Sequence, residues 1–207
     1  LAERYYRSEL AGQNRQTLDL YVANLLGTLH RYEVLPQILG QLPDLRELLA
    51  DPESPQALSK ANQLLSEITS QTGAEVMYLV DAHGDTIATS NWNKSDSFIG
   101  RHFAFRPYFS EAMQGKFGRF FGQGTTSGKR GYYFAAPVEV DNQKLGVLVV
   151  KVDLDHTARL WGKTPEQLLL TDSNGVVILT SRPEWRFRST RDLSEEERQA
   201  IFAILPY

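Results

Sequence analysis

The chain has 207 residues, 42% hydrophobic and 23% charged, enough for one large or two small globular domains. Its formal net charge of −3 leaves no electrostatic footprint for nucleic acid. The absence of cysteine excludes disulfides, thiolate metal sites and thiol nucleophiles, and is compatible with a periplasmic location.

No run of residues reaches the roughly 20 apolar positions needed to span a bilayer. The chain opens on Leu1 inside a helical pattern, with no initiating Met. That is expected of a piece of a longer protein whose flanking membrane segments lie elsewhere. From Leu1 to about Glu33 there is no proline, and Leu18, Tyr21, Val22, Leu25, Leu26, Leu29 and Tyr32 fall at three-four spacing. The spacing predicts one long amphipathic helix of about 30 residues, roughly 45 Å in length. Such a helix either packs along the domain's flank or also carries a dimer seam or leads to a membrane. Its heptad pattern is too imperfect for a free coiled coil. Pro36 and Pro43 punctuate short helices near Gln37–Leu42 and Leu45–Ala50. Ser54-Pro55 opens a further helix through Leu58, Ala61, Leu64, Leu65 and Ile68, with a capping hydroxyl and Pro at the first helical position. Gly73 ends it.

Beyond Gly73 the period becomes strand-like. Val76–Val80 reads as a buried strand, Asp81–Asp85 as a turn and Thr86–Ser90 as the return strand. Pro107–Met113 reads as a short helix. Strands follow near Phe117–Gln123, Gly131–Glu139 and Leu145–Asp153, the last two joined by a turn at Asp141–Lys144. The expectation is an α+β domain: five antiparallel strands after a helical opening. Asp155–Trp161 connects onward, and an acidic helix lies around Ser194–Leu205.

An internal repeat is visible. Residues 75–90 align without gaps onto residues 166–181, with identities Glu75/Glu166, Asp81/Asp172, Gly84/Gly175, Ile87/Ile178, Thr89/Thr180 and Ser90/Ser181. Asp and Gly are turn-makers for backbone reasons, so Asp81 and Asp85 are read as such. The matched apolar frame around them points to a hairpin-led module used twice. The chain divides accordingly into a helical region, 1–73, a first module, 74–160, and a second, smaller or incomplete module, 161–207.

At these residues the sequence resembles a known family. A long helix, then V-x-D-x-x-G-x-x-x-A-x-S, F-I-G, R-P-Y-F, G-Y-Y-F-A-x-P-V and G-V-L-V-V-K-V-D, is similar to the double-Cache (PDC-like) extracytoplasmic sensor domains. Within that group it resembles the periplasmic sensor domains of DctB-type C4-dicarboxylate sensor histidine kinases, over nearly the whole chain. The resemblance implies two PAS-like antiparallel modules carried by the long helix, the membrane-distal one binding ligand. It implies a homodimeric receptor anchored in a bacterial inner membrane. It also implies a kinase module, using ATP, and a cognate response regulator across that membrane.

Arg106 is the first candidate to hold a ligand. Its guanidinium is always charged and offers a planar fork for a carboxylate. The rival reading is a surface arginine or a structural pair with an acidic neighbour such as Glu111. Tyr108 offers a hydroxyl and a ring wall; Phe109 reads as core; Phe105 could help wall the site. His102, four residues before Arg106, shares a face with it if that segment coils. The loop Gly124-Thr125-Thr126-Ser127-Gly128 supplies hydroxyls and backbone N–H groups suited to an oxyanion, though an ordinary turn also favours Gly and Ser. Of Tyr132 and Tyr133, strand alternation points one side chain each way, and Tyr133 is preferred. Lys151 closes the apolar run Val147–Val150, where a cation costs free energy unless partnered. It is either a second cation for a ligand with two carboxylates or an intrastrand partner of Asp153. In amino-acid-sensing relatives an acid near this strand end meets the ligand's ammonium, so a lysine there favours a diacid.

Enzyme readings find no support. His30, His83, His102 and His156 lack metal-ligand spacing, and no P-loop or nucleophile elbow is present. The expected function is a ligand-binding sensor for succinate, fumarate or malate, with no cofactor of its own. The alternatives are a double-Cache chemoreceptor or kinase sensor for another small carboxylate or an amino acid, and an interaction module with an empty pocket.

Overall fold

A computed structural model of the chain describes residues 2–124, 126, 130–172 and 174–204. Helix α1 (Ala2–Glu33) is followed by α2 (Leu35–Leu39), α3 (Pro43–Ala50) and α4 (Pro55–Thr72). The second and third helices begin earlier than the spacing predicts. Pro36 and Pro43 sit in first turns, where a missing N–H costs nothing, so proline starts these helices rather than breaking them. For α4 the predicted ends hold: Ser54 Oγ accepts from Ala57 N, and Gly73 caps in the left-handed region.

Strands β1 (Val76–Asp81), β2 (Thr86–Thr89), β3 (Gly118–Gln123), β4 (Arg130–Val140) and β5 (Gln143–Asp153) form one antiparallel sheet in the order β2-β1-β5-β4-β3. The β4–β5 turn is tighter than expected. Asp141 and Asn142 both take positive φ, 51° and 62°, which is the mirror-image turn that suits a two-residue hairpin. The strands therefore run on to Val140 and Gln143.

The pleat sorts the strand residues onto two faces. Met77, Leu79, Phe134, Leu148, Val150 and Val152 pack with Leu45, Leu48, Leu65 and Tyr32 under the helical layer α1–α4. Each fully buried leucine there contributes about 1.5–3 kcal/mol relative to exposure. Val76, Tyr78, Val80, Tyr133, Ala135, Val147 and Val149 face the other way. They meet Phe98, Phe103 and the residues of α5 (Pro107–Met113). Helix α5 lies so close to the sheet that a Cβ at Gly118 would stand 2.4 Å from Tyr108 O.

After α6 (Asp155–Trp161) a separate two-stranded sheet pairs β6 (Leu169–Thr171) with β7 (Val177–Thr180), and α7 (Glu195–Ile204) follows. The repeat seen in sequence is physical. Asp81 Oδ1 accepts from His83 N and Asp85 N, both at 2.9 Å, as Asp172 Oδ1 accepts from Asn174 N and Val176 N at 2.9 Å. Ser90 Oγ accepts from Met77 N at 3.0 Å and Ser181 Oγ from Leu168 N at 2.9 Å. Even the register irregularities match, between Leu79 and Val80 and between Leu170 and Thr171. Helix α7 carries a capping box in which Ser194 and Glu197 bond each other's backbone N–H.

Candidate functional site

Arg106 is the N-cap of α5, extended at φ −79° and ψ 134° as a residue before proline prefers. Its N–H donates to Phe103 O at 3.0 Å, and the side chain is drawn inward until the residue is only 3% exposed. The guanidinium carbon lies 5.0 Å from the Phe105 ring centroid and 5.5 Å from that of Phe120. It borders a small cavity of about 10 Å³, walled by Tyr78, Phe98, Phe103, Arg106, Tyr108, Gly124, Thr126 and Tyr133.

Three tyrosines converge on this cavity. The Tyr78 and Tyr108 hydroxyls are 2.7 Å apart, and the Tyr108 and Tyr133 rings stack at 5.3 Å with a 7° interplanar angle. Burial pushes all three phenols well above the ordinary tyrosine range, and Arg106 pulls each back only in part. They are therefore neutral hydrogen-bond donors at physiological pH. In the Tyr78–Tyr108 pair one hydroxyl gives its proton to the other, so one O–H remains to meet an acceptor.

Lys151 is wholly buried and on this same face, opposite Tyr133 on one neighbouring strand and Val76 on the other. Its stem passes over Gly131, where a Cβ would come within 2.8 Å of Lys151 Cε. It does not line the cavity but lies against Tyr133, which does: Nζ is 5.8 Å from that ring centroid. Nζ donates to Glu75 Oε1 at 3.0 Å, in an ion pair whose carboxylate is 13% exposed. Asp153, the alternative partner read from sequence, instead accepts from Asp155 N at 2.6 Å.

The structure thus gathers Arg106, Tyr108, Tyr133 and Thr126 at one cavity, with Lys151 adjoining. Thr125 and Ser127 lie outside the described residues. Two of the expected residues do not line this cavity. His102 does not coil onto a shared face with Arg106; it bridges Asp85, pairs with that carboxylate at 2.9 Å, and its side chain is 56% exposed. Phe105 is not among the residues that wall this cavity: it is 62% exposed, with its ring centroid 5.0 Å from the Arg106 guanidinium carbon.

Tyr78, Phe98, Phe103 and Glu75 were not legible as site residues. Tyr78 sits inside an apolar run and reads as filler, although a hydroxyl buried there demands a partner. Glu75 carried one signal, its identity with Glu166 in the repeat. Among the described residues no group of three or more His, Asp or Glu could hold a metal ion, and no helix is long and apolar enough to cross a membrane.

No family model matches the chain. It is 61% identical over 206 residues to the C4-dicarboxylate transport sensor protein DctB of Pseudomonas aeruginosa and 34% identical over 211 residues to that of Rhizobium meliloti. Both alignments take in the whole of this chain but only 34% of the relative, so the chain spans about a third of their length. Among solved structures it superposes on the sensor domain of the V. cholerae histidine kinase DctB with a TM-score of 0.89 and 36% identity, covering 94% of this chain and 75% of that one.

Proposed function

The chain belongs to the DctB family of periplasmic sensor domains, and from that membership we propose that it captures a four-carbon dicarboxylate such as succinate, fumarate or malate at the cavity beside Arg106. One observation carries this reading: a guanidinium 3% exposed, turned toward three neutral tyrosines, with a second buried cation on the same sheet face. Arg106 takes one carboxylate in its fork, and the spare tyrosine hydroxyl supports it. Lys151 takes the other, with Thr126 and its neighbours Thr125 and Ser127 as hydroxyl donors.

A volume of about 10 Å³ has room for roughly one water. Binding a diacid therefore parts the walls carried by residues 98–108, and reclosure expels water and strengthens each charge pair. The ligand signals only if it binds the rearranged state better than the starting one.

In this proposal residues 74–160 form the ligand-binding module, 161–207 belong to a second, membrane-proximal module, and 1–73 carry both. The whole protein is a membrane-anchored, dimeric histidine kinase that uses ATP and a cognate response regulator to control dicarboxylate transport. Leu18, Val22 and Leu26, exposed at i, i+4 and i+8 on α1, support a dimer seam. A second reading, an amino-acid sensor, would use Glu75 to meet an ammonium; its engagement with Lys151 weighs against that.

Calorimetric titration with succinate, aspartate and citrate tests the proposal. Succinate is expected to bind in preference, and Arg106→Ala to weaken it by about 100-fold or more, the scale of removing one partner of a buried charge pair. Succinate binding indifferent to Arg106→Ala overturns it.

A further inference from the structure

Glu75 is the acidic partner in the ion pair that adjoins the cavity. It stands 76 positions from Lys151 in sequence, at the entry to β1, and meets Nζ at 3.0 Å. Among the described residues, the charged and titratable side chains on this face are Arg106 from the start of α5, Lys151 from β5, Glu75 before β1, and Tyr78, Tyr108 and Tyr133, whose phenols are neutral. Glu75 already engages Lys151, so a ligand carboxylate that comes to this ammonium meets a carboxylate in place there. A ligand carboxylate docked on Lys151 while Glu75 stays in place would bring two carboxylates to one ammonium in a largely dehydrated space. Like charges so placed are costly.

At the same position of the second hairpin a glutamate takes a different partner. Glu166, its repeat equivalent, accepts from the Tyr21 hydroxyl of α1 at 3.2 Å. Glu75 differs in being spent on a buried cation of the ligand face. Its remaining exposure leaves it a route toward solvent that Lys151 lacks.

We propose that Glu75 is the specificity-determining residue of this site: it holds Lys151 as an internal counter-ion that a ligand's second carboxylate must displace. A ligand with one carboxylate gains Arg106 but cannot displace Glu75, and so fails to rearrange the start of β1. Only a diacid both binds tightly and breaks the pair. This rests on the dicarboxylate reading above.

The test is calorimetry of wild type, E75Q, K151M and the E75Q/K151M double variant against succinate and its monoamide, which keeps the length but has one carboxylate. Glutamine still accepts a hydrogen bond from Lys151, so E75Q preserves the contact while removing the charge; thermal melting confirms that each variant is folded. The expected result is a rise of about tenfold or more in succinate affinity for E75Q, the scale of coupling between close charge pairs. Monoamide affinity should stay within about twofold, and the gain from E75Q should be smaller in the K151M background, where no ammonium is left to compete for. If succinate affinity in E75Q is unchanged or falls while the wild type binds normally, Glu75 merely positions Lys151 and the inference fails alone. An equal gain for succinate and the monoamide also overturns it. Absence of succinate binding in both wild type and E75Q overturns the dicarboxylate reading, and this inference with it.

Discussion

The Tyr78–Tyr108 hydroxyl contact is where the chemistry of single residues is most exposed to test. Removing one hydroxyl with Tyr78→Phe leaves the ring packing of β1 intact and strips a buried hydrogen bond, a loss of about 1 kcal/mol by urea unfolding. The change should also weaken succinate binding, because the remaining Tyr108 proton loses its fixed orientation; calorimetry reads this. The three raised phenol pKa values carry a sign. The folded-state pKa lies above the unfolded value of about 10, so the contribution to stability is full below that pH and is lost as pH rises beyond it. Alkaline titration should therefore show these tyrosines ionising only as the protein unfolds, seen as coincident ultraviolet absorbance and circular dichroism transitions above about pH 10. Separate, earlier ionisation of all nine tyrosines would contradict their burial.

At the scale of elements, the proposed ligand face depends on close approaches that glycine alone permits. Gly131 on β4 yields the space for the Lys151 stem, and a methyl group there meets Cε at 2.8 Å, Cγ at 2.9 Å and Val152 O at 3.0 Å. Gly131→Ala is expected to displace the Lys151 stem, carry its ammonium away from the ligand's second carboxylate and cut succinate affinity by about tenfold, at a stability cost of roughly 1–3 kcal/mol for overpacking. Calorimetry and melting, run on the same sample, separate the two effects. Helix α4 provides a control remote from the ligand face. Ser54→Ala removes a cap and should lower stability by about 1 kcal/mol with unchanged succinate affinity. Element boundaries were largely legible because caps and breakers act locally. The prolines of α2 and α3 misled only because the same residue that stops one helix starts the next.

For the whole molecule, ligand affinity and stability are linked. Succinate at about 100 times its dissociation constant adds about 2.7 kcal/mol, which for a chain of this size is a rise of about 5–10 °C in melting temperature. That shift should vanish in Arg106→Ala, as differential scanning calorimetry can show. By itself the sequence determined the α+β alternation, the doubled hairpin with its Asp-x-x-Gly turn, and the inventory of Arg106, Tyr108, Tyr133 and Lys151. All of these follow from side-chain period, turn chemistry and fixed charge, which act between near neighbours along the chain. Only the tertiary structure decided that β1 lies between β2 and β5, and with it every partner choice across the sheet. That order sends Lys151 to Glu75 instead of Asp153, brings Tyr78 under Tyr108, and leaves His102 with Asp85 away from Arg106. A buried polar group must find a partner, but which one it finds is set by strands that meet far apart in sequence.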